Sequence, residues 1–246
     1  MTGGALALTL AASIANAAPY REEHVTGGVL DLIWINGFDT SNNMAASTLV
    51  PSDPAYANPS GDHTVAVATS ASTDSGGIIV TTIDAQGVND YQWEGWIFTG
   101  DGNTRRGLLF RASPASNAKT FYMFVLESGM LRLRLRRLEA PAQVSTILGE
   151  WLTTSLPGGL PLLNTWHHMK VVATGPYTQV FWDGLDLTGG TPIVDPAPLL
   201  TGNVGCYNFR FDLGNVPVLF DDLLLSNLNP TPTTKSTWGA IKKLYH

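Results

Sequence analysis

The stretch Phe121-Tyr122-Met123-Phe124-Val125-Leu126-Glu127-Ser128-Gly129-Met130-Leu131-Arg132-Leu133-Arg134-Leu135-Arg136-Arg137-Leu138 decides the fold. Its second half alternates leucine and arginine with a period of two. That is the period of an extended strand; a helix would repeat its apolar side chains at three and four. The first half is a short aromatic and apolar run, and Ser128-Gly129 supplies turn chemistry between them. The segment therefore reads as an antiparallel hairpin. If the turn has two residues, Phe124 lies opposite Leu133 and Met123 opposite Arg134. Alternation then puts Leu131, Leu133 and Leu135 with Tyr122, Phe124 and Leu126 on one face, which is a core. Arg132, Arg134 and Arg136 share the other face with Phe121, Met123 and Val125.

Working outward, similar runs bounded by Gly, Asn, Asp, Pro and Ser mark strands at 29–35, 64–68, 77–83, 91–99, 107–112, 120–127, 130–138, 166–174, 178–182, 203–211 and 217–225. Asp183-Gly184, between Gln179-Val180-Phe181-Trp182 and Leu185-Asp186-Leu187, predicts a second hairpin whose two central residues both need positive φ. No internal segment keeps a helical period beyond three turns. The expected fold class is all-β, a two-sheet antiparallel sandwich.

The 246 residues hold 14 basic and 20 acidic side chains, for a net charge of −6, and 44% are apolar. Such a chain can bury one large core, and it lacks the clustered positive charge that a general nucleic-acid binder needs. The single Cys206 excludes an intrachain disulfide framework. Residues 1–17 combine an apolar stretch with Ala15-Asn16-Ala17, the pattern of a bacterial-type secretory signal peptide; no Lys or Arg precedes it, and an ordinary buried segment is the alternative reading. The apolar stretch is too short for a membrane span. The sandwich is expected over 18–228. Residues 229–235 form a Pro/Thr linker, and 236–246 carry Trp238, Ile241 and Tyr245 at helical spacing, a tail that docks on its own domain or on a partner chain.

The order of several short pieces resembles the concanavalin-A-like lectin/glucanase jelly roll, in particular laminin-G-like and 3-keto-disaccharide-hydrolase-like domains. The pieces are Tyr91-Gln92-Trp93-Glu94-Gly95-Trp96, Arg106-Gly107-Leu108-Leu109-Phe110-Arg111-Ala112, Asn164-Thr165-Trp166-His167-His168-Met169, Trp182-Asp183-Gly184 and Phe220-Asp221-Asp222-Leu223. The resemblance implies a jelly-roll sandwich that takes glycan on its concave sheet or at edge loops, often with a structural calcium. It also implies that the first and last strands meet, which would bring Asp39 to Asp221 or Asp222 as calcium ligands. Fold alone does not assign function, since this architecture hosts lectins, hydrolases, lyases and adhesion modules.

Catalytic templates are sparse. The E-x-D-x-x-E strand of laminarinase-like enzymes is absent, as are G-x-S-x-G and H-E-x-x-H. A carboxylate pair from separate strands, Glu94 with Glu127 or with Asp183, is what a hydrolase reading would require. His167 and His168 are adjacent on a strand, point to opposite faces and cannot jointly hold a metal. The unusual feature is the arginine row, joined by Arg137. Same-face neighbours on a strand lie about 7 Å apart, so each like pair costs about 0.6 kcal/mol in water and about 2.4 kcal/mol at an effective dielectric of 20. Two readings follow. The stems cover Phe121, Met123 and Val125 while the heads stay solvated or pair with Glu94, Glu127 or Glu139. Alternatively Arg132, Arg134 and Arg136, extended by Arg105, Arg106 and Arg111 and served by Glu94 and Trp96, grip an acidic polysaccharide. Trp93 and Trp96 face opposite sides, so only one lines such a groove. The function expected is a secreted or cell-surface, non-catalytic carbohydrate-binding or attachment module; a polysaccharide hydrolase or lyase and a self-assembling surface protein are the alternatives.

Overall fold

The computed structural model describes residues 20–21, 32–35, 48–50, 64–67, 75–81, 89–98, 104–112, 120–127, 129, 131–139, 144–162, 164–210 and 218–228. The expected signal segment, linker and C-terminal tail lie outside these residues, as does Asp39. The strands are β1 (Tyr20–Arg21), β2 (Leu32–Ile35), β3 (Thr48–Val50), β4 (Thr64–Val67), β5 (Ser75–Thr81), β6 (Tyr91–Phe98), β7 (Thr104–Ala112) and β8 (Phe121–Glu127). They continue with β9 (Arg132–Glu139), β10 (Val144–Leu152), β11 (Trp166–Thr174), β12 (Tyr177–Trp182), β13 (Leu185–Asp186), β14 (Ile193–Val194), β15 (Asn203–Arg210) and β16 (Val218–Asn227). One sheet runs β13-β12-β11-β6-β16-β4-β3, with β1 also on β16 and β14 on β12; the other runs β10-β9-β8-β7-β15-β5-β2. Every pairing among them is antiparallel. The architecture is the expected jelly-roll sandwich.

The core lies between the sheets. Trp93, Ile97, Met169, Val171 and Phe220 from one face Leu108, Phe110, Phe124, Leu133 and Leu135 from the other, all fully buried. The Trp93 indole N–H donates across to the Gly205 carbonyl at 3.1 Å, so the largest core side chain also satisfies its one polar atom. Glycine at 107 permits the closest strand approach: a Cβ there would lie 2.0 Å from the Phe124 carbonyl oxygen.

The β8–β9 hairpin has the expected faces in a different register. Glu127 pairs with Arg132, Phe124 with Leu135 and Met123 with Arg136. The connection is thus four residues long, 128–131. The shift of two positions preserves side-chain parity, because the strand period is two. It does move Leu131 out of the expected core. Leu131 sits in the turn, 47% exposed, where its carbonyl accepts the Thr153 N–H at 3.0 Å. The Asp183-Gly184 turn is as expected: φ is 47° and 80° at the two central residues, and Trp182 pairs with Leu185. β10 had no strong signal in the sequence, since its apolar side chains do not alternate; a bulge between Ile147 and Gly149 resets its faces.

Gly107→Ala is expected to cost at least about 3 kcal/mol, because the clash is with backbone of β8 and not with a movable side chain. Thermal unfolding by circular dichroism checks this; a midpoint within error of the parent would contradict the packing described.

Candidate functional site

The residues singled out from sequence fall into three places, of which the second and third are neighbours on the nine-stranded sheet, where Asp221 of β16 pairs with Trp96 of β6. The first is the outward face of the seven-stranded sheet. Glu127 emerges from β8 on this face with no exposed side-chain surface and is ringed by Arg105, Arg134 and Arg136, all in ion-pair contact. Arg134 also reaches Glu150 on β10, which stands 3.7 Å from Arg132, and the Arg136 Nε–H donates to the Ser145 hydroxyl at 2.9 Å. Burial would raise the Glu127 carboxyl, but the charges of Arg105, Arg136 and Arg134 outweigh it and hold it below its ordinary value. Among the described residues four guanidinium groups meet two carboxylates here, an excess of two positive charges. Burial and the neighbouring Arg105 together lower Arg136, a sign of that excess. Beneath these groups Phe121, Met123 and Val125 are buried.

Alternation separates Arg137 from the row. Paired with Tyr122, it points between the sheets and grips Asp195, which also accepts from the Tyr122 hydroxyl at 2.6 Å. Burial and the bond to Asp195 push the Tyr122 phenol up to about 12. Arg111 likewise stands apart from the arginine patch. Its guanidinium is buried and donates to the carbonyls of Gly175 at 2.6 Å, Leu199 at 2.7 Å and Asn89 at 3.1 Å, tying together the loops before β6, between β11 and β12, and before β15. Arg106 is buried and donates to the Phe98 carbonyl at 3.2 Å. The expected continuous patch of Arg105, Arg106 and Arg111 is therefore reduced to Arg105, because the other two enter the interior.

The second place is the outward face of the nine-stranded sheet, where β6 presents Glu94 and Trp96 while Trp93 enters the core. Register places His168 beside Trp96, Lys170 beside Glu94 and Trp166 beside Phe98. The Trp96 and His168 rings meet edge to face at 5.2 Å, and Phe98 and Trp166 lie 5.2 Å apart. His168 Nε2 is 3.4 Å from a Glu94 oxygen. Burial lowers the His168 pKa, with Glu94 opposing the shift. Lys170 sits 4.1 Å over the Phe181 ring. Glu94, Trp96, His168, Trp166 and Lys170 are all half-buried, so each is held in place and still meets solvent. Glu94 and Trp96 are legible as candidates in the sequence, whereas His168 is not; the antiparallel pairing of β6 with β11, separated by some 70 residues, is what assembles the cluster.

This geometry bears on catalysis. Glu94 and Glu127 lie on opposite outer faces of the sandwich, whose sheets stack about 10 Å apart before side-chain lengths are added. Glycosidic carboxylates operate about 5–9.5 Å apart. That pair cannot act together.

The third place holds the expected calcium ligands. β16 has a bulge between Asp221 and Leu224, where Asp222 takes a left-handed φ of 48° and its N–H donates to Asp221 Oδ1 at 3.0 Å. Calcium takes six to eight oxygens. Among the described residues no third His, Cys, Asp or Glu joins these two to form a metal-holding group.

No family model and no curated protein matches the chain. Solved structures do. A carbohydrate-binding module, CBM66, from Bacillus subtilis superposes with a TM-score of 0.54 at 14% identity, over 80% of this chain and 96% of that one. A protein of unknown function from Shewanella oneidensis MR-1 gives 0.51 at 12% identity, over 94% and 98%. A protein of unknown function with a galectin-like fold from Bacillus subtilis gives 0.50 at 10% identity, over 79% and 98%. At these identities the likeness establishes the lectin-like sandwich fold.

Glu127→Gln is expected to cost about 3–5 kcal/mol, since three guanidinium groups lose their buried counter-charge, and to lower the melting midpoint by roughly 10 °C. The folded carboxyl titrates below the 4.5 of the unfolded chain. Its contribution is therefore complete above that value and is lost as pH falls through the lower folded value. Melting curves between pH 3 and 7 should show a steeper acid loss in the parent than in the variant; parallel curves would contradict the assignment.

Proposed function

We propose that this chain is a non-catalytic carbohydrate-binding module acting outside the cell, with glycan lying on the outward face of the nine-stranded sheet. The observation that carries the reading is the Trp96 ring, half-buried and fixed edge-on by His168, within a cluster that offers a carboxylate, an imidazole and an ammonium group. A sugar ring presents an apolar C–H face and a rim of hydroxyls. An aromatic platform with polar groups at its margin suits both, as small-ligand sites in general combine aromatic walls with a few placed polar groups. The similarity to a module whose name states carbohydrate binding, over 96% of its length, supports the same conclusion.

Trp96→Ala should weaken binding to a responsive glycan at least tenfold in a glycan-array and calorimetry series, with Glu94→Gln showing a comparable loss and an unchanged circular dichroism spectrum. Binding indifferent to both changes would remove this face from consideration. Below its lowered pKa His168 gains a proton, which Asp183 and Asp222 also favour and Lys170 opposes, and the imidazolium tightens its existing 3.4 Å contact with Glu94. Affinity should therefore be level from pH 7 to 8 and fall in acid.

The arginine row with Arg105, four guanidinium groups against two carboxylates among the described residues, favours a second reading, an acidic polysaccharide gripped at Arg132, which is the most exposed of the row at 41%. Uronic or sulfated polymers binding more tightly than neutral ones, with affinity that drops in salt and in Arg132→Ala, would support it. A structural calcium belongs to the proposal with Asp39 as a third donor to Asp221 and Asp222; a chelator would then lower the melting midpoint.

A further inference from the structure

A separate cleft of about 200 Å³ opens where β11 begins and β12 ends, walled by residues 157–162 and floored by Thr165, His167, Trp182 and Asp183. His167 faces away from the Trp96 cluster, as alternation demands of the residue before His168. Its ring stacks on Trp182 at 4.6 Å with 19° between planes. His167 Nδ1 lies 2.6 Å from Asp183 Oδ2, and Nε2 lies 3.2 Å from the Thr165 hydroxyl. The other Asp183 oxygen accepts the His168 backbone N–H at 2.8 Å. Asp183 itself occupies the left-handed turn position of the β12–β13 hairpin.

Hydroxyl, imidazole and carboxylate stand in the order of a hydrolytic relay. The Thr165 hydroxyl, however, donates to the Leu162 carbonyl at 2.5 Å, so its proton is directed away from the imidazole. This is an ordered polar surface without an activated nucleophile.

We propose that the cleft is a second glycan-binding site, which takes a single sugar ring. Drug-sized ligands need pockets of about 300 Å³ or more, so this volume seats one ring at a time. The Asp183 side chain is 43% exposed and keeps outward lone pairs beyond its two internal bonds, an acceptor for neighbouring hydroxyls. Opposite it stand Leu160 and Leu162, 43% and 72% exposed, an apolar wall for the C–H face of the ring. Gly158 and Gly159, at φ of 88° and 72°, hold that wall in a backbone path that residues with a side chain rarely adopt. The polar groups are locked before binding, so little ordering cost remains.

The test is a nuclear magnetic resonance titration of the full chain with methyl glycosides of gluco, galacto, manno and arabino configuration, reading the His167 ring and the Trp182 indole. Saturable shifts with at least one glycoside are expected. They should weaken about tenfold in Asp183→Asn, which retains the turn, and in Leu162→Ser, which leaves the Thr165 acceptor in place. They should persist in Trp96→Ala, which separates this site from the sheet-face reading. Absence of shifts with every glycoside would overturn the proposal. So would tighter binding of methylammonium at the same residues, which would make the cleft an amine site.

Discussion

A fully buried carboxylate amid guanidinium groups is the constraint on which this sandwich rests. β9 places arginine at every second position, and the strand period commits all three to one face at about 7 Å spacing. Without a counter-charge that face would repel itself, because Arg134 and Arg136 are largely withdrawn from water, where the dielectric is lower. Glu127 answers it from the neighbouring strand, and Glu150 from the other side. The hairpin register matters here. The four-residue connection sets Glu127 opposite Arg132 and in reach of Arg134 and Arg136, whereas the two-residue turn would have set Met123 opposite Arg134. Both registers bury Leu133 and Leu135, so they differ in how they match charges and in where Leu131 falls.

The inward polar groups do different work. Arg111 and Arg137 enter an apolar interior, and each is compensated by oxygens from loops: three carbonyls for Arg111, and Asp195 with the Ala197 carbonyl for Arg137. Tyr122 joins the second set by donating to Asp195 and accepting the Leu199 N–H at 2.9 Å. A buried guanidinium left without acceptors is costly, so these loops are held by the need to satisfy it. The β11–β12 turn is among them. The strands that carry both histidine clusters are thereby anchored at the end away from the cleft, and the aromatic groups are presented on a rigid scaffold.

β11 serves two surfaces at once. His168 turns outward to Trp96 and Glu94; His167 turns to Trp182 and Asp183. One carboxylate, Asp183, touches both histidines, through the ring of one and the backbone N–H of the other. The sheet-face cluster and the cleft at its end are thus neighbours built on the same dipeptide.

Much of this was legible in the residues. The alternation of Leu133 to Leu135 with Arg134 to Arg136, the Asp183-Gly184 turn, the opposition of Trp93 to Trp96 and of His167 to His168, and the sandwich itself all follow from local period and turn chemistry, which need no knowledge of distant chain. The fate of each charged side chain did not. Arg111 and Arg136 look equivalent in sequence, yet one clamps three loops and the other borders Glu127. Glu94 and Glu127 look like a possible pair and stand on opposite faces. Local pattern dictates which way a side chain points along its own strand; which charges, rings and carbonyls it then meets depends on strand order and register, and these are settled by long-range pairing and by the requirement that every buried charge find a partner.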